Sequence, residues 1–324
     1  MEVPRQQLLV GAVDARQFAS CDRREVVTGL GEHVLSNRHA PSVDGAPADA
    51  RVGATNRARV GAIVGTVADM TTLRVGVQLQ PQATTVDELR RAWRTADEMG
   101  ADSIWTWDHF FPLYGDPDAE HFEGWTLLSV MAADTSRAKL GMLVSGNNYR
   151  NPELLADMAR TLDHVSHGRM YLGVGAGWFE RDYDEYGYEF GTAPGRLRQL
   201  GQDLPRMKAR LAALNPAAVG DLPILIGGGG EKVTLRLVAE YADAWNTFGP
   251  PANFAHKSAV LDEWCLKLGR DPSTIERTVA VDPGDVGDVE RYIEAGATHV
   301  IVMVGSPFDL SSLETLIEQR DALR

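Results

Sequence analysis

Residues 139–178 read KLGMLVSGNNYRNPELLADMARTLDHVSHGRMYLGVGAGW, and this stretch decides the fold class. An apolar run at 139–144 ends in a polar cluster, and Pro152 then opens a stretch with apolar residues at helical spacing. A second apolar run, at 170–174, ends in glycines. A strand, a helix and a strand in this order predict a parallel pair, whose carboxyl ends gather loops at one edge.

The same alternation continues in both directions along the chain. We predict strands at 73–79, 103–107, 139–144, 170–174, 223–226, 244–248, 278–281 and 299–304. Helices are predicted at 86–99, 125–133, 196–214, 254–268, 286–294 and 310–323, with two more that begin at Pro152 and Glu231. Eight such strands over about 250 residues indicate a (β/α)8 TIM barrel, with 179–222 as an insertion after the fourth strand. A doubly wound sheet is the alternative, and it would need fewer strands or a clear switch point.

Residues 1–69 differ in composition from the rest of the chain. They contain eight Arg, no Lys, eight acidic residues and one aromatic residue, Phe18, so their net charge is 8 − 8 = 0. So few large apolar side chains can bury little surface against the entropy of ordering the segment. We therefore interpret 1–69 as a disordered or artefactual extension and 70–324 as the folded domain. A small accessory subdomain is the alternative for 1–69.

Charge and cysteine content exclude several classes of partner. The formal net charge of -13 argues against nucleic acid or an anionic membrane. The two cysteines, Cys21 and Cys265, are too few and too far apart for a disulfide framework or a zinc site, and we expect no metal. No apolar stretch approaches the roughly 20 residues that span a bilayer, and the N-terminus lacks a signal-peptide pattern. We expect a cytoplasmic protein that binds a small-molecule substrate, with a homodimer as the candidate assembly.

Asp108 and His109 follow the second predicted strand. Histidine exchanges a proton near neutral pH, and the carboxylate beside it could orient the ring or bind a cofactor donor. A loop histidine satisfied by the backbone is the alternative. The position at the carboxyl end of a strand favours a catalytic role for His109.

A run of amide and hydroxyl side chains follows the third strand. It offers donors and acceptors without a negative charge, which suits the edge of a heterocycle such as a flavin pyrimidine. The candidate cofactor-binding residues here are Val144, Ser145, Gly146 and Asn148. Asn151 has a simpler interpretation, as the N-cap of the helix at Pro152.

Two glycine-rich segments follow the fourth and fifth strands. The first comprises Gly175, Ala176, Gly177 and Trp178; it is not a dinucleotide fingerprint, because Trp178 stands where the third glycine belongs. The second comprises Gly227, Gly228, Gly229 and Gly230. Its backbone N–H groups and the helix expected from Glu231 predict a phosphate site, whereas a flexible turn would need only one or two glycines.

An acidic, aromatic stretch lies at 180–190. Its acidic residues are Glu180, Asp182, Asp184, Glu185 and Glu189. They have no recognisable metal-ligand spacing, so we interpret most of them as a solvated face.

Four runs together resemble the luciferase-like monooxygenase superfamily, and more closely its coenzyme F420-dependent oxidoreductase branch. They are SIWTWDHFFPL at 103–113, KLGMLVSGNNYRNPELLADMARTLDHVSHGR at 139–169, LGVGAGWFERDYDEYG at 172–187 and PILIGGGGEK at 223–232. The resemblance covers about residues 73–324 and implies a TIM barrel with an insertion between strands. It also implies a deazaflavin, F420, over the barrel mouth, with His109 near its reactive ring carbon and Asp108 beside it.

The resemblance extends to the remaining candidate residues. It implies that the backbone at Gly177 and Trp178 and the 227–230 loop hold the ribityl-phosphate portion of the cofactor. It implies a non-prolyl cis peptide at Leu143–Val144. An apolar pocket over the ring would be lined by Trp107, Phe110, Trp125 and Trp178.

The chain departs from the resemblance in one place that bears on substrate. Sugar-phosphate dehydrogenases of this branch have a catalytic glutamate where this chain has Trp178, and Glu180 is displaced by two, so glucose-6-phosphate oxidation is not expected. Barrel phosphate sites also commonly follow strands seven and eight, whereas this loop follows strand five. We expect hydride transfer between F420 and a small organic substrate. The alternatives are an FMN-dependent monooxygenase using O2 and a partner reductase, and a flavin-binding protein without catalysis.

Overall fold

Eight parallel β-strands form a barrel in the computed structural model, which describes residues 73–324. The strands are β1 (Arg74–Leu79), β2 (Ser103–Thr106), β3 (Lys139–Met142), β4 (Met170–Gly175), β5 (Ile224–Gly227), β6 (Ala244–Phe248), β7 (Glu276–Val281) and β8 (His299–Val304). After β3 the chain continues as a two-residue strand, Ser145–Gly146, which also pairs with β4.

The barrel is closed. Each strand pairs in parallel with its neighbours in chain order, and β8 pairs with β1 over the full register from Arg74↔His299 to Leu79↔Val304. Closure removes the two open edges of a doubly wound sheet. The predicted (β/α)8 barrel is therefore confirmed, and the alternative is wrong.

Helices cover the outside of the barrel. They are α1 (Val86–Met99), α2 (Gly124–Asp134), α3 (Pro152–Val165), α4 (Glu180–Tyr186), α5 (Ala193–Ala213), α6 (Thr234–Tyr241), α7 (Pro251–Leu268), α8 (Val289–Glu294) and α9 (Ser311–Ala322). Helix α1 begins at a capping box in which Thr85 and Glu88 satisfy each other's backbone N–H groups, and it ends at Gly100 in the left-handed conformation. Helix α3 begins at Pro152 after the N-cap Asn151, as its sequence predicts.

Side chains alternate between two cores along each strand. On β8, Val300 and Val302 join the core between barrel and helices, while Ile301 joins a separate core inside the barrel. The inner core consists of Trp105, Leu143, Tyr171, Leu225, Ala244, Ala280 and Ile301. These side chains fill the barrel interior, so a ligand of the barrel would lie at its rim and not inside it.

The structure differs from the predicted elements mainly in the connections. The insertion after β4 holds two helices, α4 and α5, where one was predicted. Helix α6 begins at Thr234 and not at Glu231, because Leu235 N–H bonds to Gly230 O (2.9 Å) and closes a wider turn first. The helix after β7 is short, with a 3₁₀ segment at Pro283–Asp288 before it, as the brief connection predicts.

The carboxyl ends of all eight strands meet at one rim, which is where the candidate site lies. Over residues 73–324, the structure contains no helix both long and apolar enough to cross a bilayer. The interpretation of residues 1–69 falls outside the described residues and stays a prediction.

Candidate active site

His109 lies on the loop that leaves β2 at the barrel rim. Its ring is surrounded edge-on by three aromatic rings, with centroid distances of 6.0 Å to Trp107, 5.5 Å to Trp178 and 5.6 Å to Phe179. The side chain is 14% exposed. An imidazole in this position is reached from the rim but shielded from bulk water, which suits proton exchange with a bound ligand.

Asp182 is the direct partner of His109. It is fully buried, and its Oδ2 lies 2.6 Å from His109 Nδ1. The same carboxylate accepts hydrogen bonds from Phe110 N–H (2.9 Å) and from the Tyr149 hydroxyl (2.7 Å). Burial, followed by the interaction with Asp182, raises the pKa of Tyr149 far above its usual value, so this hydroxyl stays a donor.

The interpretation that most acids of 180–190 form a solvated face is confirmed for Glu180, Asp184, Glu185 and Glu189, and the buried Asp182 is the exception. The reason is helical geometry. Phe179, Asp182, Tyr183 and Tyr186 have the spacing i, i+3, i+4, i+7, so one acid shares a face with aromatic rings. That spacing was the available signal for a buried acid.

Asp108 does not contact His109. It is buried, and Arg150 donates to both of its oxygens (2.6 and 2.9 Å), with Gly146 N–H as a further donor (3.2 Å). Burial raises the pKa of Asp108 to about 7, against the opposing effect of Arg150. Of the two roles considered for Asp108, orienting the ring is wrong, because its carboxylate ties the 145–150 segment to the loop after β2. Its role as a cofactor-binding residue stays a prediction.

The peptide bond Leu143–Val144, just after β3, is cis, as the resemblance predicts. Val144 packs against the glycines that end β4 and β5. A Cβ added at Gly175 would lie 2.8 Å from Val144 Cγ2, and a Cβ added at Gly227 would lie 3.0 Å from Val144 Cγ1. Ser145 is buried and accepts from Trp125 Nε1 (3.2 Å). Asn148, three residues further on, is partly exposed. The cofactor-binding role of these residues stays a prediction.

Gly177 and Trp178 continue the rim after β4, beyond Ala176. Gly177 has φ +80°, and a Cβ there would lie within 2 Å of the buried Tyr183 hydroxyl, so only glycine fits. Trp178 is 48% exposed beside His109. Of the predicted pocket residues, Trp107 and Trp178 contact the His109 ring, whereas Phe110 stacks among Tyr149 and Tyr186, and Trp125 is buried.

The 227–230 loop follows β5 and is tied to β6. Gly228 has φ +124°, its N–H donates to Asn246 O (2.9 Å), and its carbonyl accepts from Trp245 Nε1 (2.9 Å). Its amide is therefore committed to the sheet. Across the described chain, Gly229 and Gly230 N–H have no hydrogen-bond acceptor, so these two amides are available to an anion.

Lys257, on α7, is a cation beside this loop that the sequence reasoning missed. A Cβ at Gly229 would lie 3.7 Å from Lys257 Cε and 3.1 Å from Thr247 Oγ1. Lys257 Nζ donates to Glu231 (2.6 Å). The loop and Lys257 stand on different βα units, so no local spacing connects them.

Within residues 73–324, no group of three or more His, Cys, Asp or Glu side chains could hold a metal ion. The rim thus combines one partly exposed imidazole with a buried acid, exposed aromatic surface, and a separate loop with amides, a hydroxyl and an ammonium group.

A protein-family model matches the greater part of the sequence. The model described as luciferase-like monooxygenase matches residues 67–283, more than half of the chain. An uncharacterized protein of Mycobacterium tuberculosis is 30% identical over 215 residues, which cover 59% of this chain and 74% of that protein. The phthiodiolone/phenolphthiodiolone dimycocerosates ketoreductase of Mycobacterium tuberculosis is also 30% identical, over 64% of each chain.

Solved structures share the fold at low sequence identity. An F420-dependent secondary alcohol dehydrogenase in complex with an F420–acetone adduct has a TM-score of 0.68 at 18% identity, covering 78% of this chain and 99% of that one. The coenzyme F420-dependent tetrahydromethanopterin reductase of Methanopyrus kandleri has 0.60 at 16% identity, with 76% and 96% covered. A monooxygenase from Streptomyces bottropensis has 0.62 at 14% identity, with 76% and 98% covered.

Proposed function

The chain belongs to the luciferase-like monooxygenase family, and from that premise we propose that it is an F420-dependent oxidoreductase. It would transfer a hydride between the deazaflavin and a small organic substrate. The observation that carries this proposal is the arrangement around His109: an imidazole at the rim, bonded to a buried carboxylate and bordered by exposed Trp178. It suits proton transfer coupled to a hydride step over an aromatic surface.

The residues present fit a phosphate-bearing flavin-type cofactor. At one part of the rim, Gly229 and Gly230 N–H, Thr247 Oγ1 and Lys257 supply the donors that a phosphate needs. At another part of the rim, Val144 packs over Gly175 and Gly227, and the backbone of these two glycines lies near the barrel mouth. Ser145, Gly146, Asn148, Ala176, Gly177 and Trp178 stay candidate contacts for the ring and ribityl portions.

When bound, F420 would supply or accept the hydride, and the chain would handle the proton and the position of the substrate. His109 would exchange a proton with the substrate oxygen. Trp107 and Trp178 would exclude water from one side of the exchange, since their rings border the imidazole.

Trp178 supports a substrate without a sugar phosphate. The resemblance implies that sugar-phosphate dehydrogenases have a catalytic glutamate at this position, and this chain has an exposed indole there. The sequence relative named as a ketoreductase and the fold neighbour named as a secondary alcohol dehydrogenase both act between a carbonyl and an alcohol. We therefore propose an apolar ketone or secondary alcohol as the substrate class.

An FMN-dependent monooxygenase is the second candidate, because the Streptomyces bottropensis neighbour is a monooxygenase of the same fold. The two differ in cofactor and in the use of oxygen, since a deazaflavin reacts poorly with O2. A flavin-binding protein without catalysis would keep the loops but would not need the His109–Asp182 pair.

Titration of the protein with F420 and with FMN, followed by fluorescence and absorbance, tests the proposal. We expect F420 to bind at least about tenfold more tightly than FMN, a difference of about 1.4 kcal/mol. Tighter binding of FMN, together with oxygen consumption when reduced FMN is supplied, would favour the second candidate. Binding of F420 without turnover of any ketone or alcohol would favour the non-catalytic one.

A further inference from the structure

We propose that Asp182 is the positioning residue of the site, because it fixes His109 in the tautomer that carries hydrogen on Nδ1 and leaves Nε2 for the substrate. The proposal deepens the proposed function and rests on it for its catalytic consequence. Asp182 contacts His109 and not the barrel mouth, so its effect on the reaction would pass through the imidazole.

The hydrogen-bond partners of Asp182 determine the tautomer. Three groups surround the carboxylate: Phe110 N–H and the Tyr149 hydroxyl, which donate to it, and His109 Nδ1. Both oxygens of Asp182 are already acceptors, Oδ1 of the Phe110 N–H and Oδ2 of the Tyr149 hydroxyl, and Oδ2 is also the atom that His109 Nδ1 contacts. His109 Nδ1 must therefore carry the hydrogen, and Nε2 is its remaining proton-exchanging atom.

Nε2 has no hydrogen-bond partner in residues 73–324, since the ring bonds to Asp182 through Nδ1, and it is therefore free for a ligand. The other charged groups nearby are committed elsewhere. Asp108 is paired with Arg150, which also bonds to Glu123. His121 accepts from Trp107 Nε1 (3.0 Å), and burial lowers its pKa to about 4, so it is neutral.

The arrangement balances a carbonyl reduction. The reduced cofactor would supply the hydride to the carbonyl carbon, and His109, protonated on both ring nitrogens, would give its Nε2 proton to the carbonyl oxygen. The ring is left neutral, with its Nδ1 hydrogen still held by Asp182. In the oxidative direction Nε2 would take the hydroxyl proton, and the oxidised cofactor would accept the hydride from the carbinol carbon.

Asp182→Asn should reverse the tautomer. The oxygen of the new amide would stay on Phe110 N–H, which needs an acceptor, and this directs the amide NH2 toward His109. An NH2 group donates, so Nδ1 would have to accept and the hydrogen would move to Nε2. The neutral ring would then no longer accept a proton from a substrate.

The test is long-range ¹H–¹⁵N NMR of the full chain at pH 8.5, with the His109 signals assigned by their loss in His109→Gln. We expect a protonated Nδ1 and an unprotonated Nε2 in the wild-type protein and the reverse in Asp182→Asn. The kcat for F420 turnover should fall at least about tenfold in Asp182→Asn, with the KM for F420 changed less than about twofold. Asp182→Glu should recover part of the kcat, because a carboxylate is restored.

Asp163→Asn is the matched control. Asp163 is also fully buried and accepts from Val219 and Gly220 N–H, but it lies away from His109. We expect it to cost stability while leaving the His109 tautomer and kcat unchanged. If Asp182→Asn does not fold, the wild-type spectrum alone decides the tautomer.

An Nε2-protonated neutral ring in the wild-type protein would overturn the proposal, as would an Asp182→Asn variant with unchanged tautomer and kcat. If the tautomers are as expected but the wild-type protein turns over no substrate with F420, the positioning inference stands and the proposed function fails. The two failures are therefore distinguishable.

Discussion

At the scale of single residues, the site depends on a contact between two segments far apart in the chain. His109 follows β2, and Asp182 lies on α4, which follows β4. The 2.6 Å contact between them joins a buried carboxyl group to a ring that is partly exposed. The carboxyl group holds the ring through Nδ1, so Nε2 is the ring atom left to exchange a proton with a ligand.

His109→Ala should separate binding from chemistry. We expect turnover to fall by about 100-fold or more, the usual scale of acid–base assistance, while the affinity for F420 persists. Steady-state kinetics and a binding titration measure the two quantities. His164→Ala is the matched control, because His164 bonds to Ala217 O on the outer surface. Equal turnover in His109→Ala and the wild-type protein would remove His109 from the mechanism.

His109 could be identified from the sequence because its position at a strand end is a local property. Asp182 stands among four other acids, and the one sequence signal that separates it from them is its helical spacing with aromatic residues. Its contact with His109 depends on the packing of α4 and could not be identified from the sequence. Asp108 shows the opposite error. Its adjacency to His109 suggested a contact, but successive residues leave a strand in different directions, and its carboxylate reaches Arg150.

At the scale of elements, the βα loops carry the candidate binding surface. The strand ends are predictable because apolar runs stop at glycine or polar residues, and the loops at 175–178 and 227–230 lie where the sequence predicts. The start of α6 is not predictable to the residue, because it depends on the Leu235–Gly230 turn. Lys257 was missed because it approaches the loop from another helix.

Gly229→Val tests the 227–230 loop as the phosphate site. A Cβ at Gly229 already comes within 3.1 Å of Thr247 Oγ1, and the branches of valine would occupy the space before the free amides. We expect F420 affinity to fall by about tenfold or more, with a much smaller relative change in the melting temperature of the apo protein. Gly229 is preferred to Gly228, whose φ of +124° would strain any side chain.

Two comparisons control the Gly229→Val result. Gly287→Val places the same side chain in open space, so it should leave F420 affinity unchanged. A cofactor analogue without the phosphate should lose less affinity than F420 in Gly229→Val. Equal losses for both ligands would place the phosphate elsewhere, for instance after β7 and β8.

At the scale of the whole molecule, the barrel carries a second polar cluster at its amino-terminal end. Glu276, the first residue of β7, accepts from His299 Nδ1 (2.9 Å) and the Tyr171 hydroxyl (2.7 Å), with Arg74 at 3.3 Å. Burial alone would raise the pKa of Glu276. The interactions with His299 and Arg74 have the larger effect and lower the pKa from 4.5 to about 2. This cluster lies at the end opposite the site, where barrel residues serve stability.

Glu276 should make stability depend on acid pH. An unfolded glutamate has a pKa of 4.5, and the folded value is lower, so its contribution is present above about pH 4.5 and is lost as the pH falls to about 2. We expect the free energy of unfolding to drop over this window by up to about 3 kcal/mol more in the wild-type protein than in Glu276→Gln. Urea unfolding at pH 5 and pH 2.5 measures the difference. The exposed Glu180→Gln variant should follow the wild type, and identical pH dependence in Glu276→Gln would contradict the assignment.

A chain that begins at Met70 should fold and bind cofactor like the full-length chain. The first strand, β1, starts at Arg74, and the composition of 1–69 offers little apolar surface to bury. Equal melting temperatures and equal F420 affinities are the expected result. A clear loss of stability would show that the extension packs against the barrel.

The closed barrel was predictable as a whole because eight apolar runs at regular spacing all indicate it. An error of a few residues in the bounds of one run does not change the predicted fold. Strand registers and the Asp182 contact depend on packing between elements, and no run of sequence contains that information. The cis peptide at Leu143–Val144 was predicted from the family resemblance, because the periodicity of the sequence does not indicate it.

The most direct test of the central claim is anaerobic turnover of reduced F420 with a panel of apolar ketones, followed by the return of oxidised F420 absorbance. We predict that the wild-type protein reoxidises reduced F420 only when a ketone is present, yields the secondary alcohol, and loses this activity in His109→Ala. Turnover that requires reduced FMN and O2, with none from F420 and any ketone, would contradict the account.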